Sequence, residues 1–140
     1  MKQFIKDNAL YGAFAVALTA MLGSLYFSEI ANFPPCVLCW YQRIGLYPIV
    51  AIIGFAIYRK SKEILLPAFL LAGIAWVIGL YHNLLYYEIL PEAAAPCVAG
   101  ISCTTKYIEW FGFVTIPLLA LAGSTLILIG LIIHWRTKND

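Results

Sequence analysis

Four long apolar stretches, separated by short polar segments, dominate the pattern of the chain. They cover approximately residues 9–27, 40–58, 64–87 and 111–135. A helix needs roughly 20 mostly apolar residues to cross the hydrocarbon core of a bilayer, and each stretch is about that long. The runs are continuous, whereas the strands of a membrane barrel are short and alternate in polarity. The pattern predicts an all-α membrane protein, with residues 1–140 forming one four-transmembrane-helix antiparallel bundle.

The composition supports this class. Of the 140 residues, 63% are hydrophobic and 11% are charged, whereas soluble domains are about 25% charged. The net charge is +2 and the chain has no long basic run, so no nucleic-acid partner is expected. The first stretch follows Lys2 and Lys6, as in a signal peptide, but it is longer than the roughly 7–15 apolar residues of a signal-peptide core and lacks a clear cleavage site. We expect it to be retained as a spanning helix.

The basic residues predict the orientation of the bundle. Most of them lie in the N-terminal tail, the link between the second and third stretches, and the C-terminal tail, namely Lys2, Lys6, Arg59, Lys60, Lys62, Arg136 and Lys138. Basic residues concentrate in short cytoplasmic segments of membrane proteins. We therefore expect a multi-pass protein of the cell membrane with both termini in the cytoplasm and the two other links outside.

All four cysteines belong to those two extracytoplasmic links, where disulfides persist. Proximity pairs Cys36 with Cys39 and Cys97 with Cys103, although four cysteines allow three connectivities. A disulfide that closes so small a loop as Cys36–Cys39 stabilises little, so this spacing favours a redox role. A four-cysteine zinc site and a pair of structural disulfides stay open as alternatives. Because the exterior is oxidising, we expect no metal.

Two other polar residues are candidates for the site. Cys39 is expected at or just before the start of the second helix, where the helix dipole favours a thiolate. Arg43 lies four residues further along, on the same face, and its cation would stabilise a thiolate or an anionic acceptor. The alternative is an interfacial arginine that only reaches for water. His82 is either a partly wet polar residue near the end of the third stretch or a functional group of the membrane interior.

Two dithiols on one side of a membrane suggest an electron relay. Cys97 and Cys103 lie on the longer loop, which suits contact with a protein partner, whereas Cys36 and Cys39 lie near the bilayer, which suits a lipid-soluble acceptor. Dithiol couples span about −270 to −120 mV, so an oxidising partner needs an acceptor of still higher potential. The chain has neither a dinucleotide-binding glycine pattern nor a C-x-x-C-H haem motif. A membrane quinone is the acceptor that requires only a slot between helices.

The octapeptide Cys36-Val37-Leu38-Cys39-Trp40-Tyr41-Gln42-Arg43 resembles the C-V-L-C-x-Y-x-R signature of the DsbB family of disulfide bond formation proteins. The segment Trp110-Phe111-Gly112-Phe113, followed by Pro117, is similar to that family as well. The five residues between Cys97 and Cys103 resemble the compact Gram-positive members of the BdbC type. The resemblance covers essentially the whole chain.

The resemblance implies a mechanism. An extracytoplasmic thioredoxin-like thiol oxidoreductase, similar to DsbA or BdbD, would form a mixed disulfide at Cys97. Cys103 and Cys36 would then exchange between the loops, and Cys39 would pass electrons to a quinone.

Arg43 and His82 would line the quinone site, and in a Gram-positive cell the quinone would be menaquinone. Two rival functions remain: an enzyme similar to vitamin K epoxide reductase, whose C-x-x-C usually begins the last helix of the bundle, and a membrane assembly subunit with two structural disulfides.

Overall fold

The computed structural model describes residues 1–97 and 101–139 of the chain. Within these residues the fold consists of four long helices, with bounds α1 Lys2–Leu25, α2 Val37–Arg59, α3 Leu65–Tyr86 and α4 Ile116–Asn139. A wider turn, Tyr26–Ile30, continues α1. All four helices are long and apolar enough to cross a membrane. The prediction of an all-α, four-helix membrane bundle is confirmed.

The helices pack in chain order around the bundle. Helix α1 contacts α2 and α4, α3 contacts the same two helices, and α2 and α4 touch only slightly. Large apolar side chains such as Ile49, Ile53 and Leu131 are fully buried between them. Small residues let backbones approach closely. At the α1–α4 seam, for example, a Cβ on Gly130 would lie 2.9 Å from the Cβ of Ala13.

Three of the helices begin at other residues than the apolar stretches. Helix α1 begins at Lys2 rather than near residue 9. Helix α2 begins at Val37, earlier than residue 40, because Cys36 caps it. Helix α4 begins at Ile116 rather than near residue 111. A tight turn precedes it, in which Phe111 and Gly112 have φ values of 55° and 79°. The Oγ1 of Thr115 then accepts a hydrogen bond from the backbone N–H of Leu118 at 3.3 Å and caps the helix.

The two cysteine-bearing loops lie together at one end of the bundle. The ring of Phe33 in the first loop stacks on that of Tyr107 in the second, with centroids 5.0 Å apart. The hydroxyl of Tyr107 donates to the carbonyl of Pro34 at 3.3 Å. The short α2–α3 link, in which Lys60 has a φ of 53°, lies at the opposite end. The antiparallel helices therefore bring all four cysteines to the same end of the molecule.

Candidate redox site

The first cysteine pair is built on the start of α2. Pro34 and Pro35 precede the helix and Cys36 occupies its N-cap, where its Sγ accepts a hydrogen bond from the backbone N–H of Cys39 at 3.4 Å. Both residues are free thiols with their sulfurs 3.1 Å apart. The sequence placed Cys39 at the helix start, but the helix begins two residues earlier. Cys36 therefore holds the cap position and Cys39 lies in the first turn.

The surroundings of Cys36 favour its thiolate. The pKa of the Cys36 thiol is lowered from its ordinary value, chiefly because the thiol of Cys39 donates a hydrogen bond to it. His82 and the backbone N–H of Cys39 lower the pKa further, while burial of the side chain acts in the opposite direction. A helix N-terminus favours a negative charge in the same way. Cys36 is thus the thiol of this pair that carries negative charge most readily, which makes it a good leaving group in thiol–disulfide exchange.

The second pair lies directly above the first. Cys97 and Cys103 form a disulfide with a Cα–Cα distance of 5.9 Å. Cys103 is buried, with 3% of its surface exposed, whereas Cys97 is only partly buried. The sulfurs of Cys36, Cys97 and Cys103 all lie within 4.8 Å of one another. The fold therefore brings the two pairs, which are some sixty residues apart in the chain, within reach of thiol–disulfide exchange.

Side chains of the second loop hold this disulfide in place. The carboxylate of Glu92 accepts hydrogen bonds from the hydroxyls of Ser102 and Thr104, both at 3.2 Å. The hydroxyl of Tyr81 on α3 donates to the carbonyl of Ala94. These contacts connect the segments on both sides of the disulfide. Sequence reasoning missed Glu92, because an exposed loop glutamate is ordinarily only solvated.

His82 lies against the cysteines. It is 2% exposed, and its Nε2 is 3.8 Å from the Sγ of Cys36 and 3.1 Å from the carbonyl oxygen of Cys103. Of the two alternatives for His82, the partly wet polar residue does not describe this position, since α3 continues to Tyr86 and the second loop covers the histidine. His82 is absent from the described residues that line the large cavity introduced below, so its role in quinone binding stays a prediction.

The sulfur and nitrogen atoms of Cys36, Cys39 and His82 resemble a set of metal ligands only in part. The ligand atoms of Cys36, Cys39 and His82 lie within 4.8 Å of one another, as thiolates and an imidazole around zinc would. The Nε2 of His82 also contacts the carbonyl of Cys103, and that contact uses an N–H. A nitrogen that carries this proton has no lone pair for a metal.

Arg43 lies one helical turn beyond Cys39. Its Nε donates to the Oγ of Ser24 and an Nη donates to the carbonyl of Ser24, both at 2.9 Å. The guanidinium also lies over the ring of Trp40, 5.4 Å from the centroid. Tyr47 donates to the same Ser24 hydroxyl at 3.3 Å. Arg43 is thus fixed at the α1–α2 seam, and the interpretation as an arginine that only reaches for water does not describe this geometry.

A cavity of about 590 Å³ opens beside Arg43 between α1, α2 and α4. Cys39 is the cysteine among its lining residues, and Gln42 and Arg43 line the cavity one helical turn further along α2. Most of the wall is apolar, including Val16, Ala20, Phe27, Phe33, Leu46, Leu119, Ala120 and Leu126. Small-molecule sites usually measure about 300–1,000 Å³ and carry few polar groups. The cavity therefore has the size and the lining of a site for a mostly apolar ligand next to a thiol.

A second, much smaller space separates the cysteine pairs. This cleft has a volume of about 30 Å³, and its walls include Cys36, Cys39, His82 and Cys103. It has room for no more than a water molecule or two. Cys39 borders both the cleft and the large cavity.

The other residue that sequence reasoning missed is Gln42. Its one signal in the sequence was an uncharged polar side chain inside an apolar stretch.

Comparison with known proteins finds relatives that are described as disulfide bond formation proteins. A sequence model of the family described as "Disulfide bond formation protein DsbB" matches residues 6–134. The chain is 46% identical over 138 residues to "Disulfide bond formation protein C" of Bacillus subtilis, an alignment that covers 94% of this chain and 95% of the relative. It is 47% identical over 118 residues to "Probable disulfide formation protein C 1" of Bacillus anthracis, covering 84% and 85%. No solved structure matches the chain.

Proposed function

The chain belongs to the DsbB family of disulfide bond formation proteins, and we propose that it reoxidises an extracytoplasmic thioredoxin-like thiol oxidoreductase and passes the electrons to a membrane quinone. Membership of this family by itself implies a multi-pass membrane protein with thiol–disulfide oxidoreductase activity. The resemblance to the BdbC type is confirmed by the Bacillus relatives.

Electrons enter at the Cys97–Cys103 disulfide. A thiolate of the partner attacks the Sγ of Cys97, the partly exposed member of the pair, and the S–S bond breaks with Cys103 leaving as a thiolate. The second partner thiol then attacks the mixed disulfide. This attack releases Cys97 and leaves the partner with a disulfide. The burial of Cys103 supports this order, since a protein partner reaches Cys97 first.

The electrons then move to the inner pair. The thiolate of Cys103 attacks Cys36 of an oxidised Cys36–Cys39 pair, and Cys39 leaves. Attack of Cys97 on Cys103 restores the outer disulfide and leaves Cys36 and Cys39 as thiols, which is the set of bonds in this structure. The distance of at most 4.8 Å between the three sulfurs supports this exchange and is the observation that carries the proposal.

A quinone supplies an acceptor for the two electrons and two protons that the inner dithiol gives up when its disulfide forms. The residues fit this group, because the cavity is large, mostly apolar and bordered by Cys39. Arg43 holds a fixed positive charge at the cavity wall, next to the sulfur that becomes negative during the reaction. The apolar walls exclude water. Since the relatives named above are from Bacillus, we propose menaquinone as the physiological acceptor.

The proposed orientation puts both termini in the cytoplasm and both cysteine loops outside. Its support is the charge pattern, since the N-terminal tail and the α2–α3 link are basic and lie at the end of the bundle opposite the cysteines. The vitamin K epoxide reductase-like alternative is disfavoured because the C-x-x-C begins α2 rather than α4. Two structural disulfides are disfavoured by the free thiols of Cys36 and Cys39.

The test combines turnover with trapping of the inter-loop disulfide. Purified protein with a reduced thioredoxin-like partner is expected to reduce added menaquinone, and Cys39→Ser is expected to abolish the reduction. In the Cys39→Ser, Cys97→Ser double variant, oxidation should link Cys36 to Cys103, as mapped by non-reducing mass spectrometry. Ser28→Ala, a change outside both spaces, is the matched control. Quinone reduction that persists in Cys39→Ser would refute the mechanism.

A further inference from the structure

Gln42 is a buried amide that the fold leaves unsatisfied. Its side chain lies on α2 three residues after Cys39, with 5% of its surface exposed. Its Nε2 is fully buried and has no hydrogen-bond partner among the residues that the structure describes. Buried polar side chains nearly always have such a partner, and each exception calls for an explanation.

Packing around the amide offers no explanation within the protein. A Cβ on Gly79 of α3 would lie only 3.1 Å from the Nε2, so the absence of that side chain makes room for the amide. A Cβ on Gly79 would also contact the apolar Leu121 of α4. By contrast, Asn83 one turn further along α3 donates to the carbonyls of Gly79 and Pro117 at 2.7 and 2.9 Å. The bundle satisfies the donor of this neighbouring amide but not that of Gln42.

The open space next to Gln42 is the large cavity, of which it is a lining residue. Gln42 and Arg43 follow Cys39 at helical spacings of three and four, so both lie one turn below the sulfur. The Nε and one Nη of Arg43 are already bound to Ser24. Two of the five N–H groups of Arg43 are thus used at the α1–α2 seam, and Gln42 is a second residue of the cavity wall with N–H groups that no described residue uses.

We propose that Gln42 is a quinone-binding residue whose amide N–H donates to a carbonyl oxygen of the quinone in this cavity. The terminal torsion of a glutamine is soft, so the amide turns from Gly79 toward the cavity at little cost. The hydrogen bond fixes the quinone ring one helical turn from Cys39. This inference rests on the proposed function, because it assigns a residue to the quinone site of that reaction.

The test compares Gln42→Met, which keeps the length of the side chain but removes its donors, with Leu46→Met. Leu46 lines the same cavity one turn deeper and is the control for altered shape. A short-chain 1,4-naphthoquinone, labelled with ¹³C at one carbonyl, is bound to the purified protein. Infrared difference spectra report the carbonyl stretch and equilibrium dialysis reports the affinity.

We expect the carbonyl stretch to be lowered in the wild type and in Leu46→Met and to return to the free-quinone value in Gln42→Met. Loss of one hydrogen bond should weaken binding about tenfold. Without quinone, Gln42→Met should melt no earlier than the wild type, because replacing an unsatisfied amide by an apolar group is neutral or stabilising. A purely structural glutamine would give the opposite result, an earlier melt with unchanged carbonyl stretch.

The outcomes separate this inference from the proposed function. If the wild type neither binds nor reduces the naphthoquinone, the proposed function and this inference both fail. If the wild type does both and Gln42→Met keeps the lowered stretch and the affinity, only the role of Gln42 is refuted. Should Gln42→Met fail to accumulate, Gln42→Leu, which also lacks any donor, gives the same readouts.

Discussion

Removing the charge of Arg43 should slow the reduction of quinone without unfolding the protein. The change is Arg43→Met, which keeps an unbranched stem at the α1–α2 seam and removes the guanidinium. Ser24 keeps a partner for its hydroxyl, because Tyr47 donates to it at 3.3 Å. The lost bonds to Ser24 should therefore cost the bundle about 2 kcal/mol of its free energy of unfolding, which leaves it folded at room temperature.

The magnitude of the kinetic effect follows from the helical spacing. The Cβ atoms of side chains four residues apart on a helix lie about 6 Å from each other, and we take this spacing as the distance between the two charges. At an effective dielectric constant of about 20, a unit positive charge at that distance stabilises a unit negative charge by about 3 kcal/mol. This energy corresponds to about 100-fold in rate. Partial exposure of the guanidinium weakens the interaction, so we expect the reduction of quinone by the inner dithiol to slow between about 10- and 100-fold.

The assay is anaerobic stopped-flow mixing of the reduced protein in lipid nanodiscs with a short-chain quinone, followed by quinone absorbance. Arg59→Met is the matched control, because Arg59 is on the same helix and also lies over an aromatic ring, 5.8 Å from the centroid of Phe55, but at the other end of the bundle. Arg43→Lys keeps the charge but loses the paired bonds to Ser24, so its rate should lie between those of the wild type and Arg43→Met. A rate for Arg43→Met equal to that of Arg59→Met would show that the charge of Arg43 takes no part in the reaction.

Three further predictions concern the thiols, the second loop and the core. Because the pKa of the Cys36 thiol is lowered from its ordinary value, its rate of alkylation by iodoacetamide should stay level as the pH falls from 9 to 7. Mass spectrometry of the Cys36 peptide measures this rate, and a tenfold fall in the rate per pH unit would contradict the prediction. In Glu92→Gln, both hydroxyl bonds should weaken, because they share the Oε1 of Glu92 and an amide oxygen carries no charge. Amide hydrogen exchange in residues 101–105 should therefore accelerate several-fold with no change in melting temperature; unchanged exchange would show that this carboxylate does not hold the loop. Gly130→Ala should destabilise the bundle by about 1–3 kcal/mol in thermal unfolding, since the added Cβ would lie 2.9 Å from the Cβ of Ala13. The control Gly12→Ala should not destabilise it, because nothing lies within 4 Å of the added Cβ. Equal melting temperatures of the two variants would argue against close packing at this seam.

The fold was largely predictable because the length of an apolar stretch is enough to identify a helix that spans a membrane. The stretches from 40 and 64 fall within a few residues of α2 and α3. The start of α4 was not predictable in the same way, because Phe111 and Phe113 are as apolar as a helix that crosses the bilayer. A hydropathy pattern cannot distinguish an apolar turn from an apolar helix. The available signals were Gly112, which permits the positive φ, and Pro117, which suits the first turn of a helix.

The candidate site was predictable only where its residues are close in sequence. Cys36, Cys39 and Arg43 belong to one motif, and helical periodicity alone puts Arg43 one turn beyond Cys39. The burial of His82 depends on a loop that folds back over α3, and the unsatisfied amide of Gln42 depends on Gly79 of another helix. Contacts of that kind arise from packing between helices, and one sequence does not specify them.

The arrangement of the two spaces also constrains how electrons can travel in the proposed relay. The cleft between the cysteine pairs, about 30 Å³, admits sulfur chemistry but no quinone, whereas the cavity of about 590 Å³ contacts the relay at Cys39. A quinone in that cavity is therefore separated from Cys97 and Cys103 by the inner pair. Direct reaction between a quinone and the reduced outer pair would be blocked by geometry rather than by redox potential. In the proposed relay, every electron from the partner would then pass through Cys36 and Cys39, which would give each of the two cysteine pairs a separate task.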